Sequence, residues 1–163
     1  KGIIYLLEAF KKLNFKNKEL ILIGSIEHNI KEKVFKYFSE NIKYLSTIKN
    51  SQLNVYYSNA NVTVQPSLED GFNMVIAESL ACGCPVIATK NTGAPDFFNN
   101  GIEGFIIKPM SVESIHEKLE ELANDKNLNK KMSENALLAV KKIGGWNDYG
   151  NRWLSKLNNL NHE

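Results

Sequence analysis

Arginine is almost missing from this chain. Of its 20 basic side chains one is an arginine, Arg152, and the rest are lysines. Bidentate guanidinium clamps on phosphate are therefore ruled out as a general device, and any phosphate must be held by lysine, backbone amides or helix N-termini. Cysteine is scarce too, with Cys82 and Cys84 separated by Gly83. That spacing is too short for a relaxed disulfide, and no histidine stands beside it to build a zinc site. The pair reads as buried free thiols, which favours a reducing compartment. The three histidines are scattered among lysine and glutamate, which argues against a metal centre. No apolar run approaches the ~20 residues that span a bilayer. There is no G-x-G-x-x-G, no Walker loop and no G-x-S-x-G, so dinucleotide, P-loop and serine-hydrolase chemistry lose their usual signatures. A net charge of +2 across 163 residues leaves no broad basic field for nucleic acid.

What is present is a regular alternation of short β runs and helical runs. Ile3–Leu13 carries apolar residues at helical spacing. Strands are expected at Glu19–Ile23, Ile42–Leu45, Asn61–Gln65, Pro85–Ala88 and Glu103–Ile107. Between them, helices are expected from Asn29 to Phe38, from Ser51 to Tyr57 and from Met74 to about Cys82, with Asn29, Ser51 and Asn73 as caps. After the last strand come a helix capped by Ser111, one from about Leu128 to Lys142, and a terminal helix after Gly144-Gly145 rich in aromatics. Strands joined by single helices imply right-handed crossovers, and hence an α/β fold: a Rossmann-like open parallel sheet with helices on both faces. Such sheets bind ligands beyond the carboxyl ends of their strands. The loops to inspect are thus those after Gly24, after Leu45, from Pro66 to Asn73 and from Thr89 to Pro95.

The densest of these is Pro66-Ser67-Leu68-Glu69-Asp70-Gly71-Phe72-Asn73, which feeds directly into a helix. Free amides and the positive dipole end at such a junction suit an anion such as a diphosphate. Glu78 stands on that helix with Met74, Val75, Ala81 and Cys82 as its helical neighbours, and none can form an ion pair with it. A carboxylate on so apolar a helix needs donors from elsewhere. They come either from another loop or from a ligand diol, since one carboxylate can accept from both hydroxyls of a ribose. Asp70, eight positions earlier at the loop mouth, is either a turn residue or a second carboxylate facing sugar hydroxyls.

The run Asp70-x7-Glu78, within Pro66-Ser67…Gly71-Phe72…Ala77-Glu78…Gly83-Cys84-Pro85-Val86-Ile87-Ala88, resembles the acidic-x7-acidic signature of the retaining glycosyltransferases of family 4, which have the two-domain GT-B fold. Lys1-Gly2, Leu22-Ile23-Gly24, Thr92-Gly93-Ala94-Pro95-Asp96 and Asn100-Gly101-Ile102-Glu103-Gly104-Phe105 fit in the same order, so the resemblance covers roughly residues 1 to 123. It implies a single nucleotide-sugar-binding domain over 1–163, a piece of a longer protein whose N-terminal acceptor domain is missing. The terminal helix, about 144–163, would contact that missing domain.

Carried over by position, the resemblance gives Glu78 the ribose hydroxyls and Asp70 the transferred sugar. The amides of Gly71, Phe72, Asn73, Met74 and Val75 line the diphosphate and sugar, and Lys1 neutralises the diphosphate. Gly24 is counted among the donor-binding residues, and the loop Leu45-Ser46-Thr47 contacts the base through its backbone. Implied with these are a nucleoside-diphosphate sugar, a UDP-sugar by preference, as substrate, transfer of a hexose-type sugar with retention, no metal or other cofactor, and a cytoplasmic setting. Peripheral membrane association would run through the missing half, and surface polysaccharide synthesis would be the pathway. Two departures stand out: Asp70 where the family more often has Glu, and Asn73 where it usually has Gly. A sugar-nucleotide 2-epimerase-like enzyme and a non-catalytic GT-B module share the same architecture and remain alternatives.

Overall fold

The computed structural model describes residues 2–160. Its elements run α1 (Ile3–Lys12), β1 (Leu20–Ile23), α2 (His28–Phe35), β2 (Ile42–Leu45), α3 (Asn50–Asn59) and β3 (Thr63–Gln65). They continue with α4 (Met74–Ala81), β4 (Val86–Thr89), α5 (Ala94–Phe97), β5 (Gly104–Ile107), α6 (Val112–Asn124), α7 (Lys126–Ile143) and α8 (Trp146–Leu160). All paired strands are parallel, and helices separate them, as the alternation of periods requires. The expected single sheet is resolved into two hydrogen-bonded ladders, β1–β2 and β3–β4–β5.

Helix α1 joins the two ladders because it is apolar on two adjacent faces. Leu6, Ala9 and Leu13 enter the cluster containing Ile87, Phe105 and Ile107, while Leu7 and Phe10 enter the one containing Leu22, Val34 and Ile42. Strand β4 is buried on both sides, and its alternation shows how. Ile87 faces the α1–α6 cluster, whereas Val86 and Ala88 face Ile76 and Leu80 of α4 and Phe97 of α5. Each such aliphatic side chain removed from water stabilises the fold by roughly 1.5–3 kcal/mol. Gly104 sets the β4–β5 spacing, since a Cβ there would lie 2.1 Å from the Val86 carbonyl oxygen.

Two helix starts differ from expectation. Asn29 and Ser51 lie inside α2 and α3, whose N-caps are Glu27 and Lys49, neither donating or accepting through its side chain. Backbone carbonyls at Glu27 and Lys49 begin these helices instead, one residue or more earlier. Ser111 does cap α6, its hydroxyl accepting from the Ser114 amide at 3.0 Å. The short α5 had no periodic run to announce it; Pro95 in its first turn presets the backbone angle. No helix among the described residues is long and apolar enough to cross a membrane.

Candidate functional site

The carboxyl ends of β3 and β4 carry two loops that are stitched together. Thr89 Oγ1 donates to the Ser67 carbonyl at 2.6 Å, Asn91 Nδ2 to the Leu68 carbonyl at 2.9 Å, and the Asp70 amide to the Asn91 carbonyl at 3.0 Å. Gly93 allows a further close approach: a Cβ there would lie 2.2 Å from the Phe72 carbonyl oxygen. The Phe72 ring, though exposed, leans on Phe97 with centroids 4.6 Å apart. Gly2 brings the start of α1 against the same loop, where a Cβ would collide with the Pro66 carbonyl. Lys1, assigned to the diphosphate by resemblance, lies outside the described residues.

Asn73 departs from the expected cap geometry. Its backbone is left-handed, at φ 52° and ψ 73°, and its side chain makes no cap bond. Nδ2 turns instead to Gln65 Oε1 at 3.4 Å. The left-handed backbone is the region where glycine is at ease and where asparagine is among the few tolerated alternatives. Position 73 therefore accepts Gly or Asn for one backbone reason. Asn73 supplies no side-chain cap to the first turn of α4, which starts beside Gly71 and Phe72, both exposed. An anion is the natural partner for such a terminus.

Apolar as helix α4 is, only Ile76, Ser79 and Leu80 are buried. Ser79 anchors it, with Oγ donating to Thr63 Oγ1 at 2.8 Å and the Cys84 carbonyl at 3.1 Å. That leaves Glu78 half-buried on the flank facing α3. Its carboxylate already has two donors, and neither is a backbone amide: Asn50 Nδ2 reaches Oε1 at 3.1 Å and the Tyr57 hydroxyl reaches Oε2 at 3.2 Å. A cavity of about 220 Å³ opens there, lined by Asn50, Leu53, Asn54 and Tyr57 on one side and Glu78, Ala81 and Cys82 on the other. Burial first, and then the neighbouring Glu78 charge, push the Tyr57 phenol well above its ordinary range, so it stays a donor. Cys82 is half-exposed at this cavity rather than buried, while Cys84 is buried and its thiol is raised chiefly by burial.

Gly24, at φ 123°, ends β1, and its amide extends the ladder to the Leu45 carbonyl at 3.1 Å. Ser46 and Thr47 follow as an exposed loop leading into α3. Asp70 is half-buried at the mouth of the stitched loop. The structure thus brings Gly71 to Val75 together at one helix start and Glu78 to the cavity flank. Among the described residues no group of three or more His, Cys, Asp or Glu side chains is placed to hold a metal ion. Asn50 and Tyr57 were not singled out in the sequence. Their signal was there: positions 50, 53, 54 and 57 share one helical face that has polar groups where a core-facing helix has an apolar stripe.

Residues 1–138 match the family model described as glycosyl transferases group 1. The chain belongs to that family. It is 36% identical over 139 residues to the capsular polysaccharide biosynthesis glycosyltransferase CapM of Staphylococcus aureus, covering 83% of this chain and 37% of CapM. Among solved structures, it superposes on Anabaena HepE in complex with UDP with a TM-score of 0.86 at 19% identity, over 98% of this chain and 45% of that one. The C-terminal domain of a glycosyl transferase group 1 family protein, LpcC of Francisella tularensis, matches with a TM-score of 0.76 at 24% identity, over 87% and 78%. This chain therefore spans about two-fifths of the length of the curated relative, and its fold is that of the C-terminal half of the GT-B glycosyltransferases. Helix α8 lies beyond the stretch that the glycosyl transferases group 1 model matches.

Proposed function

We propose that this chain is the donor-binding half of a retaining glycosyltransferase that moves a hexose-type sugar from a UDP-sugar to an acceptor. One observation carries the reading: α4 bears both a start without a side-chain cap from Asn73 and, one turn further on, the Glu78 carboxylate, each offering what a different part of a nucleotide sugar needs. The amides of Met74 and Val75 suit the diphosphate, and Glu78 suits the ribose hydroxyls. Asp70, at the mouth of the loop, takes hydroxyls of the transferred sugar, and Gly24 with Leu45, Ser46 and Thr47 borders the base.

In this reading the domain stabilises charge as it develops on the leaving diphosphate. Preorganised dipoles aimed at such charge are worth more in a partly desolvated site than in water. Lys1 and the α4 amides take the part that a divalent ion plays in other transferases, so removing divalent ions with a chelator leaves the rate unchanged. The acceptor surface belongs to the rest of the protein, and this chain alone turns over no substrate. Its setting is the cytoplasm, at the inner face of a membrane during surface polysaccharide synthesis. The capsular role in the printed name of CapM supports that choice of pathway.

The test is thermal unfolding with UDP, GDP and ADP, beside a Glu78→Ala control. A ligand at ~100 times its dissociation constant adds about 2.7 kcal/mol. Stabilisation by UDP that the control loses is the expected result. Equal stabilisation of both proteins, or none, overturns the assignment of Glu78. Product analysis with the intact protein separates transfer from epimerisation, because an epimerase needs no acceptor.

A further inference from the structure

Glu78 does not fix its own carboxylate. Its helical neighbours Met74, Val75, Ala81 and Cys82 carry no N–H or hydroxyl side-chain donor. Both of its side-chain hydrogen bonds come from α3, Asn50 to Oε1 at 3.1 Å and Tyr57 to Oε2 at 3.2 Å. The last torsion of a glutamate is broad when unrestrained, and one donor on each oxygen restricts it. Asn50 and Tyr57 stand two helical turns apart on one face of α3. A tyrosine ring leans back toward its helix N-terminus, which lets two residues so spaced meet one carboxylate.

A carboxylate offers about four lone-pair sites, two on each oxygen. Helix α3 takes one on each oxygen and leaves one on each for a further pair of donors. A vicinal diol supplies such a pair. We infer that Asn50 and Tyr57 are positioning residues that set the Glu78 carboxylate for the ribose diol of the donor. Discrimination of ribose from deoxyribose then depends on α3 as well as on Glu78. The inference rests on the donor-site reading above. Its structural competitor is a plain clamp of α3 to α4, which involves no ligand.

Calorimetry on the intact protein with UDP and 2′-deoxy-UDP separates the two. The wild type is expected to prefer UDP by about tenfold or more, the worth of a hydrogen bond to a charged group. Tyr57→Phe keeps the ring and removes the donor, and Asn50→Ala acts at an exposed position that does not endanger folding. Each is expected to cut the preference by about threefold or more while 2′-deoxy-UDP affinity changes by less than about twofold. Equal losses for both ligands, with the preference intact, make the pair a clamp and overturn the inference. If Glu78→Ala abolishes the preference and both α3 variants keep it, this inference alone fails. If Glu78→Ala keeps the preference, or the wild type shows none, the ribose assignment of Glu78 fails and takes the inference with it.

Discussion

The two ladders of this fold differ in how firmly they are built. Strand β4 is buried at all four positions, whereas β1 is buried at Leu22 alone. Helix α4 buries three residues and ties itself through Ser79, while α3 has no buried residue. The loops above β3 and β4 are stitched by Thr89, Asn91 and the Gly93 contact. Above β2, Ser46 and Thr47 are exposed. A site at the junction therefore has one rigid wall and one lightly packed wall. The rigid wall presents backbone amides, whose positions must be accurate to hold charge. The lighter wall meets the site through side chains, and its bonds to Glu78 link it to α4.

The sharpest way to break this contrast is to hollow out the firm side. Ile87→Ala removes most of a fully buried side chain at the centre of β4 and is expected to cost about 2–5 kcal/mol in denaturant unfolding. A cost under about 1 kcal/mol would show that the β3–β4–β5 side is no better packed than the other. Gly93→Ala comes next. Its methyl meets the Phe72 carbonyl, so a loss of about 1–3 kcal/mol is expected, together with weaker nucleotide binding as the stitched loop shifts. Unchanged stability would mean that the two loops yield freely.

Asn73 separates backbone from side chain. Asn73→Ala is expected to cost about 1 kcal/mol because alanine is strained at positive φ, while Asn73→Gly stays near neutral. Equal effects of the two would assign the role of Asn73 to its bond with Gln65. Tyr57 tests the lighter wall by pH. Its phenol is raised above 10.0 in the folded protein, so the stability it lends is complete below pH 10 and is lost as pH climbs toward the folded value. Tyr57→Phe is expected to flatten that alkaline fall, which pH-dependent unfolding curves would reveal. The smallest effect belongs to Ile21→Ala on exposed β1, expected within about 0.5 kcal/mol.

Much of this was legible in the residues. Ile42–Leu45 is found with the expected limits because its run is bounded on both sides by polar turns. The Ser111 cap follows from a hydroxyl placed three residues before an amide it can reach. Where reading failed, the cause was tertiary. The left-handed backbone of Asn73 is imposed by the loop's path from β3 into α4, and no local pattern marks it. The donors on Glu78 lie 21 and 28 residues away, so only the packing of α3 on α4 could reveal them. The aromatics of the terminal helix belong to the stretch that the resemblance sets against the missing domain. Trp153 and Tyr149 are exposed on α8, ring against ring at 6.4 Å.

A crystal structure of the intact protein with a bound UDP-sugar tests the central claim most directly. The account expects the diphosphate within hydrogen-bond distance of the Met74 and Val75 amides, and the ribose on the Glu78 carboxylate with Asn50 and Tyr57 still bonded to it. A nucleotide seated elsewhere, such as the second cavity between Ile102 and α7, would contradict it.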